Sequence, residues 1–565
     1  MNIKTSTNYV SGRRSSKHPL DWIKSSSKAQ NSIVVLIILV FAGINIFSVL
    51  RDFSLTTDED KHYLYGENVI SGDSTRFDDS KMPVTALNVL PKKIATFLRD
   101  ERLIYFGSKF YTARMVTIFF SCLIAFLVFH WARLLYGFMP ALFSLLLYVL
   151  DPNIIAHSQL VTTDIYVTGA FAFGFFRLWK FANERSLRNG LWCLFALGIS
   201  QVAKYTAVLL FPLFFIALLI FDLLERSKSL QVKENSKVFA IRYMRYAALT
   251  IIASILIINL GFLFNRTFTY FGEYQFRSRL FQNIQADFPA LHFLPVPVPY
   301  PYLEGLDYMR NTEQSGLLSG NVYFLGQISE LKGFPGYYIV ASLLKVPIPT
   351  QIILILAQLV YFTQKERRGN FFKNEIFLLI PVVFFTIYFN FFFNTQVGIR
   401  YYLPVFPLLY IFSGNLFSGW KDFSVAQKAT SLGLIVYLFI SVFSYYPYCL
   451  SYFNEFVWNR TQAYKFLADS NVDWGQSKNE LWKYVSEHPD AIYSPRKVRS
   501  GHIVVGINDL VGVTVDPDQY AWLRNNFEPV DTIAYTYLIY KISPEDLNEL
   551  CATTAYCDEQ LYFGN

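Results

Sequence analysis

Apolar runs long enough to cross a bilayer recur along this chain from residue 32 to residue 446, with polar segments between them. The first fills 32–50, and others fall near 112–130, 134–150, 161–181, 190–204, 205–222, 243–264, 338–362, 375–393, 400–419 and 428–446. At roughly 20 residues to a span, they predict about eleven transmembrane helices. Three long stretches are more polar: 51–111, 265–337 and 447–565. Ala86 to Leu98 in the first reads as an amphipathic helix on the membrane surface. Leu294-Pro-Val-Pro-Val-Pro-Tyr-Pro301 in the second lacks the backbone donors of a helix or central strand, which predicts an extended loop. The third has helical stretches near 460–488 and strand-like runs at His502–Ile507 and Thr532–Ile542, which predict a small α/β domain. The predicted fold is a polytopic α-helical membrane protein: a tail at 1–31, a transmembrane domain at 32–446 with its loops, and a C-terminal α/β domain at 447–565. No inverted repeat of the transporter kind is visible.

Composition agrees: 53% of the 565 residues are hydrophobic and 16% charged, against about 25% charged in soluble domains. The net charge of +8 reflects topology and not nucleic-acid binding, because no basic run interleaved with aromatics stands on a soluble domain. Lys4, Arg13, Arg14, Lys17, Lys24 and Lys28 precede the first apolar run against a single Asp21. With Arg133, Lys180, Arg185, Arg188, the cluster from Arg226 to Arg245, Lys365 to Lys373, Lys421 and Lys428, roughly 22 of the 50 basic residues share one side. That side is the cytoplasm, which puts the N-terminus inside and, after eleven spans, 447–565 outside. The long n-region and span-length apolar run argue against a cleavable signal. The five cysteines form no CxxC pair, and only Cys551 and Cys557 are placed to bridge.

Charge gathers at the predicted outer ends of the spans. Asp58 and His62 in Thr56-Thr-Asp-Glu-Asp-Lys-His-Tyr63 are four apart and share a face if helical; the plain alternative is a solvated loop in which Asp58 or Thr57 caps a helix. Asp164 ends His157-Ser-Gln-Leu-Val-Thr-Thr-Asp164, where a cap is again the alternative, compatible with chemistry. Lys81, Lys204, Lys345 and Arg400 violate the inside bias. Each alone reads as a snorkelling side chain. Together with the two acidic motifs they fit a pocket that binds an anionic head group and does acid/base work.

In order along the chain stand Thr57-Asp58-Glu59-x-x-His62-x-x-x-Gly66, Gly72-Asp73, Lys81-Met-Pro-Val84, Thr162-Thr-Asp164, Ala203-Lys-Tyr-Thr206 and Gly398-Ile-Arg-Tyr-Tyr-Leu-Pro-Val-Phe-Pro407. The set resembles the lipid-carrier-dependent glycosyltransferases of the GT-C class, in the branch of protein O-mannosyltransferases and aminoarabinose transferases (glycosyltransferase family 39). Asn321-Val-Tyr-Phe-Leu-Gly326 with Lys345-Val-Pro-Ile-Pro349, and Asp469-Ser-Asn-Val-Asp-Trp-Gly-Gln476, are similar to bacterial members. The resemblance covers most of 30–480. Many members have His-Pro-Pro-Leu or Lys-Pro-Pro-Leu where this chain has Lys81-Met-Pro-Val84, so the lysine is kept and its neighbours differ.

The resemblance implies a GT-C-like transmembrane domain. It also implies a polyprenyl-phosphate-linked sugar donor, a protein, glycan or lipid acceptor, and an extracytoplasmic site in a bacterial cytoplasmic membrane. Asp58 becomes the base for inverting transfer, with Glu59 and Asp164 orienting the acceptor or holding Asp58 and the lysines. Lys81, Lys204 and Arg400 become the phosphate ligands. His62, Lys345, Asp469, Asn471 and Asp473 are further site residues. Such a donor is already activated, so a base and cations suffice and no nucleotide loop is required, in keeping with the lack of a Gly-x-Gly-x-x-Gly or Walker sequence. A divalent metal on Asp58, Glu59 and His62 is one reading of the cluster, helix spacing accounts for it equally well, and no cofactor is assigned. A secondary transporter or lipid flippase would instead place charges deep within spans and pair broken helices. An adhesion protein anchored by its spans would not need eleven.

Overall fold

The structure, a computed structural model, describes residues 28–51, 54–73, 75, 80–228, 235–315 and 320–557. The tail residues Lys4, Arg13, Arg14, Lys17, Asp21 and Lys24, and Lys233, lie outside the described residues. The protein is mostly helical, and each apolar stretch holds helix. Among the described residues, five helices are individually long and apolar enough to cross a bilayer: Lys28–Leu50, Phe110–Tyr136, Tyr205–Glu225, Ser236–Gly261 and Val425–Phe443. Two bent pairs raise the number to seven: Phe138–Val149 with Pro152–Ser158, at 63°, and Tyr337–Lys345 with Ile348–Thr363, at 117°. This is a multi-pass membrane protein. Exposed Ile252, Leu256 and Leu260 run along one side of Ser236–Gly261 at helical spacing, as a lipid-facing stripe does.

Several predicted spans are interrupted for local reasons. Residues 400–419 form a 3-10 turn Ile399–Val405, a helix Phe406–Ser413 and a second 3-10 turn Gly414–Phe417. Pro404 and Pro407 lack the donors that a continuous helix needs. The sharper bend stands at Val346-Pro347. The two breaks meet, since Asn153 Nδ2 donates to the Lys345 carbonyl at 3.0 Å.

The first polar segment, 51–111, forms helices Glu59–Ser71, Ala86–Leu98 and Glu101–Gly107. Ala86–Leu98 is two-faced as expected, burying Asn88, Val89 and Ala95 while Phe97 and Leu98 are exposed. Gly66 allows Glu59–Ser71 to touch the 3-10 turn Pro83–Thr85, because a Cβ there would stand 2.7 Å from the Thr85 carbonyl oxygen. In the proline-rich segment a single bridge joins Pro295 to Tyr270, and helix starts at Tyr300, where Pro301 in the first turn loses no bond.

A hairpin of β1 (Asn321–Phe324) and β2 (Gln327–Glu330) precedes the second bent pair. The C-terminal sheet has the order β3-β4-β6-β5, from Ala491–Tyr493, Gly501–Gly506, Asp531–Ile533 and Tyr537–Ile542. β3 and β4 are parallel and the other pairs antiparallel. The run expected as one strand over 532–542 is instead the hairpin β5–β6, turned at Ala534 and Tyr535 with φ of 51° and 61°. Alternation on β4 buries both faces: Val504 packs with Leu481 of the helix Lys478–Glu487, whereas Ile503 and Val505 join the apolar cluster that continues among the spans. The sheet is thereby fastened to the helices by a shared core. Cys551 and Cys557 form a disulfide, with Cα atoms 5.3 Å apart.

Candidate functional site

Asp58 occupies the cap position of Glu59–Ser71, yet its side chain makes no capping bond. It faces two cations instead. Lys81 Nζ is 3.8 Å from Oδ1 and Arg400 Nη1 3.4 Å from Oδ2. Asp164 opens the helix Asp164–Asn183 and also leaves the cap unmade: Lys204 Nζ is 2.7 Å from Oδ1, and Thr162 Oγ1 donates to Oδ2 at 3.3 Å. Lys204 lies 4.0 Å from the centre of the Tyr401 ring, and Arg400 lies 3.9 Å from that of Trp474. Residues from five separate segments thus converge, the cations Lys81, Lys204 and Arg400 with the carboxylates Asp58 and Asp164, and Asp469 also acts on Arg400. None of these cations is extended into solvent as a snorkelling side chain would be; their side chains are 10%, 15% and 13% exposed.

Burial raises the Asp58 carboxyl, but Arg400 and Lys81 outweigh it and hold it below its ordinary value. His62 lies beside it, 6% exposed. Burial, reinforced by Lys81, pulls its imidazole down to about 3 against Asp58 and Asp164, so the ring is neutral.

Glu59 is elsewhere. Its carboxylate is fully buried, receives two bonds from Arg114, Nη2 at 2.6 Å and Nε at 2.9 Å, and accepts from the backbone N–H of Thr56 and of Val161. Every strong acceptor direction is spent within the chain, which keeps Glu59 away from the cations that Asp58 faces. Asp58, Glu59 and His62 do not converge on one point, and among the described residues no three His, Cys, Asp or Glu side chains are arranged to hold a metal ion.

Lys345, expected on the anion-binding face, is 1% exposed and donates to the carbonyls of Leu450 at 2.7 Å and Asn471 at 2.5 Å. It braces the loop that follows the last span, whose carbonyls would otherwise be buried without donors. Asn471 accepts from Ile399 N–H at 3.0 Å and donates to Tyr337 Oη at 2.7 Å. Ser470 Oγ donates to the Val397 carbonyl. Gly398, at φ 91°, permits this closeness, since a Cβ there would collide with Ser470 Oγ. These bonds aim Arg400. Burial raises the carboxyls of Asp469 and Asp473, the latter to about 6.

Arg114 and Trp474 complete the arrangement. A basic residue inside the predicted span 112–130 was itself the signal for Arg114. Trp474 stands in the Asp469–Gln476 motif; its carbonyl accepts from Thr57 N–H at 2.9 Å and Thr57 Oγ1 at 3.2 Å, while its ring lies over Arg400. One residue therefore touches both sides of the Asp58–Arg400 pair.

A family model described as dolichyl-phosphate-mannose-protein mannosyltransferase matches residues 103–258. That stretch contains Arg114, Asp164 and Lys204 but not Asp58, Lys81 or Arg400. The match supports the resemblance to the GT-C glycosyltransferase class. Among solved structures, the chain is similar to ArnT from Cupriavidus metallidurans bound to undecaprenyl phosphate, at 11% identity over 92% of this chain and 98% of that one, TM-score 0.45. It is also similar to an oligosaccharyltransferase of Archaeoglobus fulgidus in the apo form, at 14% identity, 74% and 55% coverage and TM-score 0.48. The third is AglB of the same organism with an inhibitory peptide and a dolichol-phosphate, at 13% identity, 93% and 75% coverage and TM-score 0.47. No curated protein sequence matches the chain.

Two measurements check this geometry. Arg114→Met leaves the Glu59 carboxylate buried and unpaired, a loss of about 3–5 kcal/mol. Folded yield and melting temperature should fall sharply, and Glu59→Gln in the same chain should recover much of both; a single variant as stable as wild type would show the pair to be dispensable. Asp473 ionises at about 6 when folded against 3.8 ordinarily, so its folded-state charge is disfavoured and stability declines as pH rises through that interval. Asp473→Asn keeps the oxygen that accepts from Gly475 N–H. It should melt about 1–3 °C above wild type at pH 7.5 and show no advantage at pH 4; equal melting at both pH values counts against it.

Proposed function

We propose that this chain is a glycosyltransferase that moves a sugar from a polyprenyl-phosphate carrier to an acceptor hydroxyl, at the outer face of a bacterial cytoplasmic membrane. The observation that carries the reading is the convergence of three cations, Lys81, Lys204 and Arg400, on Asp58 and Asp164. The phosphodiester of such a donor is an anion of the kind that clustered cations bind. The matching family is described by a sugar carried on dolichyl phosphate, a lipid phosphate of the same chemistry.

The two ion pairs to Asp58, at 3.8 and 3.4 Å, are longer than the 2.7 Å pair between Lys204 and Asp164. A donor phosphate competes for Lys81 and Arg400. As it takes them, Asp58 loses the charges that depress its proton affinity and becomes a better base. The acceptor oxygen then attacks the anomeric carbon from the face opposite the phosphate. Its proton passes to Asp58, the carbon–oxygen bond to phosphate breaks, and the phosphate leaves with that electron pair, held by the three cations. Total charge in the site is unchanged by the step: the phosphate gains one negative charge while Asp58 loses one. The product has inverted configuration. Lys204 remains with Asp164, which orients it toward the phosphate.

Eleven spans, with the N-terminus inside and 447–565 outside, suit this chemistry because the site lies at the helix ends next to that C-terminal segment. The Cys551–Cys557 disulfide supports an oxidising compartment for it. A transporter is less well supported: although two helix pairs are bent, Asp58, Asp164, Lys81, Lys204 and Arg400 gather at helix ends and in turns.

Purified protein supplied with a panel of undecaprenyl-phosphate sugars tests the reaction. Asp58→Asn, folded as judged by thermal unfolding, should turn over about 10²–10⁴ more slowly. Lys81→Met, Lys204→Met and Arg400→Met should each weaken donor use by roughly one to two decades. Wild-type turnover in Asp58→Asn removes it as the base, and retained anomeric configuration in the product rules out direct displacement. The topology has its own assay: alkaline phosphatase fused after Tyr448 should be active, and an inactive fusion there beside an active cytoplasmic reporter overturns the outward site.

A further inference from the structure

The C-terminal sheet has no catalytic motif, yet one of its side chains reaches into the loop that carries Trp474. Asn508 stands in the turn of helix Ile507–Leu510 directly after β4. Its Oδ1 accepts from the Asp469 N–H at 2.7 Å and its Nδ2 donates to the Asp473 carbonyl at 2.9 Å. Both halves of one amide are thus used to span the 3-10 turn Asp469–Asn471, closing it from the sheet side. Asp469 has φ 56°, a left-handed conformation that a residue with a Cβ keeps only when its surroundings hold it there. The bond to its N–H comes from Asn508. Asn508 is fixed in turn, since Ile507 N–H donates to Thr536 O, in the turn between β5 and β6, and Val513 N–H donates to Asn508 O.

The gripped turn runs straight into the site. Ser470 and Asn471 hold the Val397–Ile399 backbone that leads to Arg400. Trp474, next after Asp473, places its ring 3.9 Å from the Arg400 guanidinium and its carbonyl on Thr57, the neighbour of Asp58. We propose that Asn508 is a positioning residue, through which the C-terminal sheet sets where Arg400 and Asp58 stand relative to each other. Arg400 must exchange Asp58 for the donor phosphate without losing its place, and the Trp474 face is the contact that stays while the other changes. The inference rests on the proposed phosphate role of Arg400 and assigns the sheet a part in it. Asn508 touches no substrate.

A binding cycle with undecaprenyl phosphate as the probe, on full-length protein in detergent, tests this. Asn508→Ala should weaken binding by about three- to tenfold, Arg400→Met by about tenfold or more, and the double variant no further than Arg400→Met alone. A merely structural role for Asn508 would weaken both backgrounds equally, and that additivity overturns the proposal. Hydrogen exchange supplies a readout independent of any ligand: in Asn508→Ala, the amides of 469–474 and of Thr57 should exchange faster, and an unchanged Thr57 amide overturns it too. If Asn508→Ala fails to fold, Asn508→Gln, which keeps both amide functions on an arm one methylene longer, is read by the same cycle and the same exchange. Unaltered binding in Arg400→Met defeats the proposed function. Weakened binding there, beside wild-type behaviour in the Asn508 variants, defeats only the present inference.

Discussion

The buried ion pair of Glu59 and Arg114 is the constraint on which the surroundings of Asp58 are built. Two charges without water are stable only if every remaining lone pair and proton is answered, and here the answers come from distant pieces of chain. Arg114 belongs to Phe110–Tyr136 and also donates to the Ser54 carbonyl at 3.0 Å; Glu59 draws in the N–H groups of Thr56 and Val161. The turn that opens Glu59–Ser71, the start of Phe110–Tyr136 and the turn before Asp164 are thereby pinned at one point. With Glu59 fixed, Asp58 beside it points toward Lys81 and Arg400. The adjacent carboxylates are separated in role by their surroundings: one is saturated by the chain, the other balanced between long ion pairs.

The same economy appears among the cations. Lys345 is spent on carbonyls of the loop after the last span, Arg114 on Glu59, and Lys81, Lys204 and Arg400 are left facing carboxylates across a shared space. Aromatic faces at Tyr401 and Trp474 steady two of these three without neutralising them. An anion entering such a space meets cations already held in place.

Much of the fold was legible because lipid imposes simple rules. A membrane helix must be apolar over its length, so the stretches from 32 to 446 announced themselves. Their integrity was less visible: at 400–419 the hydropathy is high throughout, but Pro404 and Pro407 break the hydrogen-bond ladder. At 338–362 the bend by Pro347 is likewise invisible to hydropathy. In the C-terminal segment, a turn at Ala534-Tyr535 divides an apolar run without glycine, asparagine or proline to mark it. That Asp58, Lys81, Asp164, Lys204 and Arg400 stand near one another was an expectation from motif order and an assumed common side. The distinct fates of Glu59 and Lys345 were not expected, because periodicity reports which way a residue faces locally and not which distant carbonyl or guanidinium will meet it.

The bond from Thr57 to Trp474 closes a loop of 417 residues, and the Asp58–Arg400 pair one of 342. Contacts so remote in sequence form late, after the chain between them has been made. During synthesis, Asp58 emerges with the first polar segment long before Trp474 exists to hold Thr57 or Arg400. The oldest part of the site waits for the youngest. A chain that stops short of residue 474 carries the predicted spans and most of these charged side chains and yet lacks the contact that aligns the Asp58–Arg400 pair, which makes completion of translation a condition for assembly of the site.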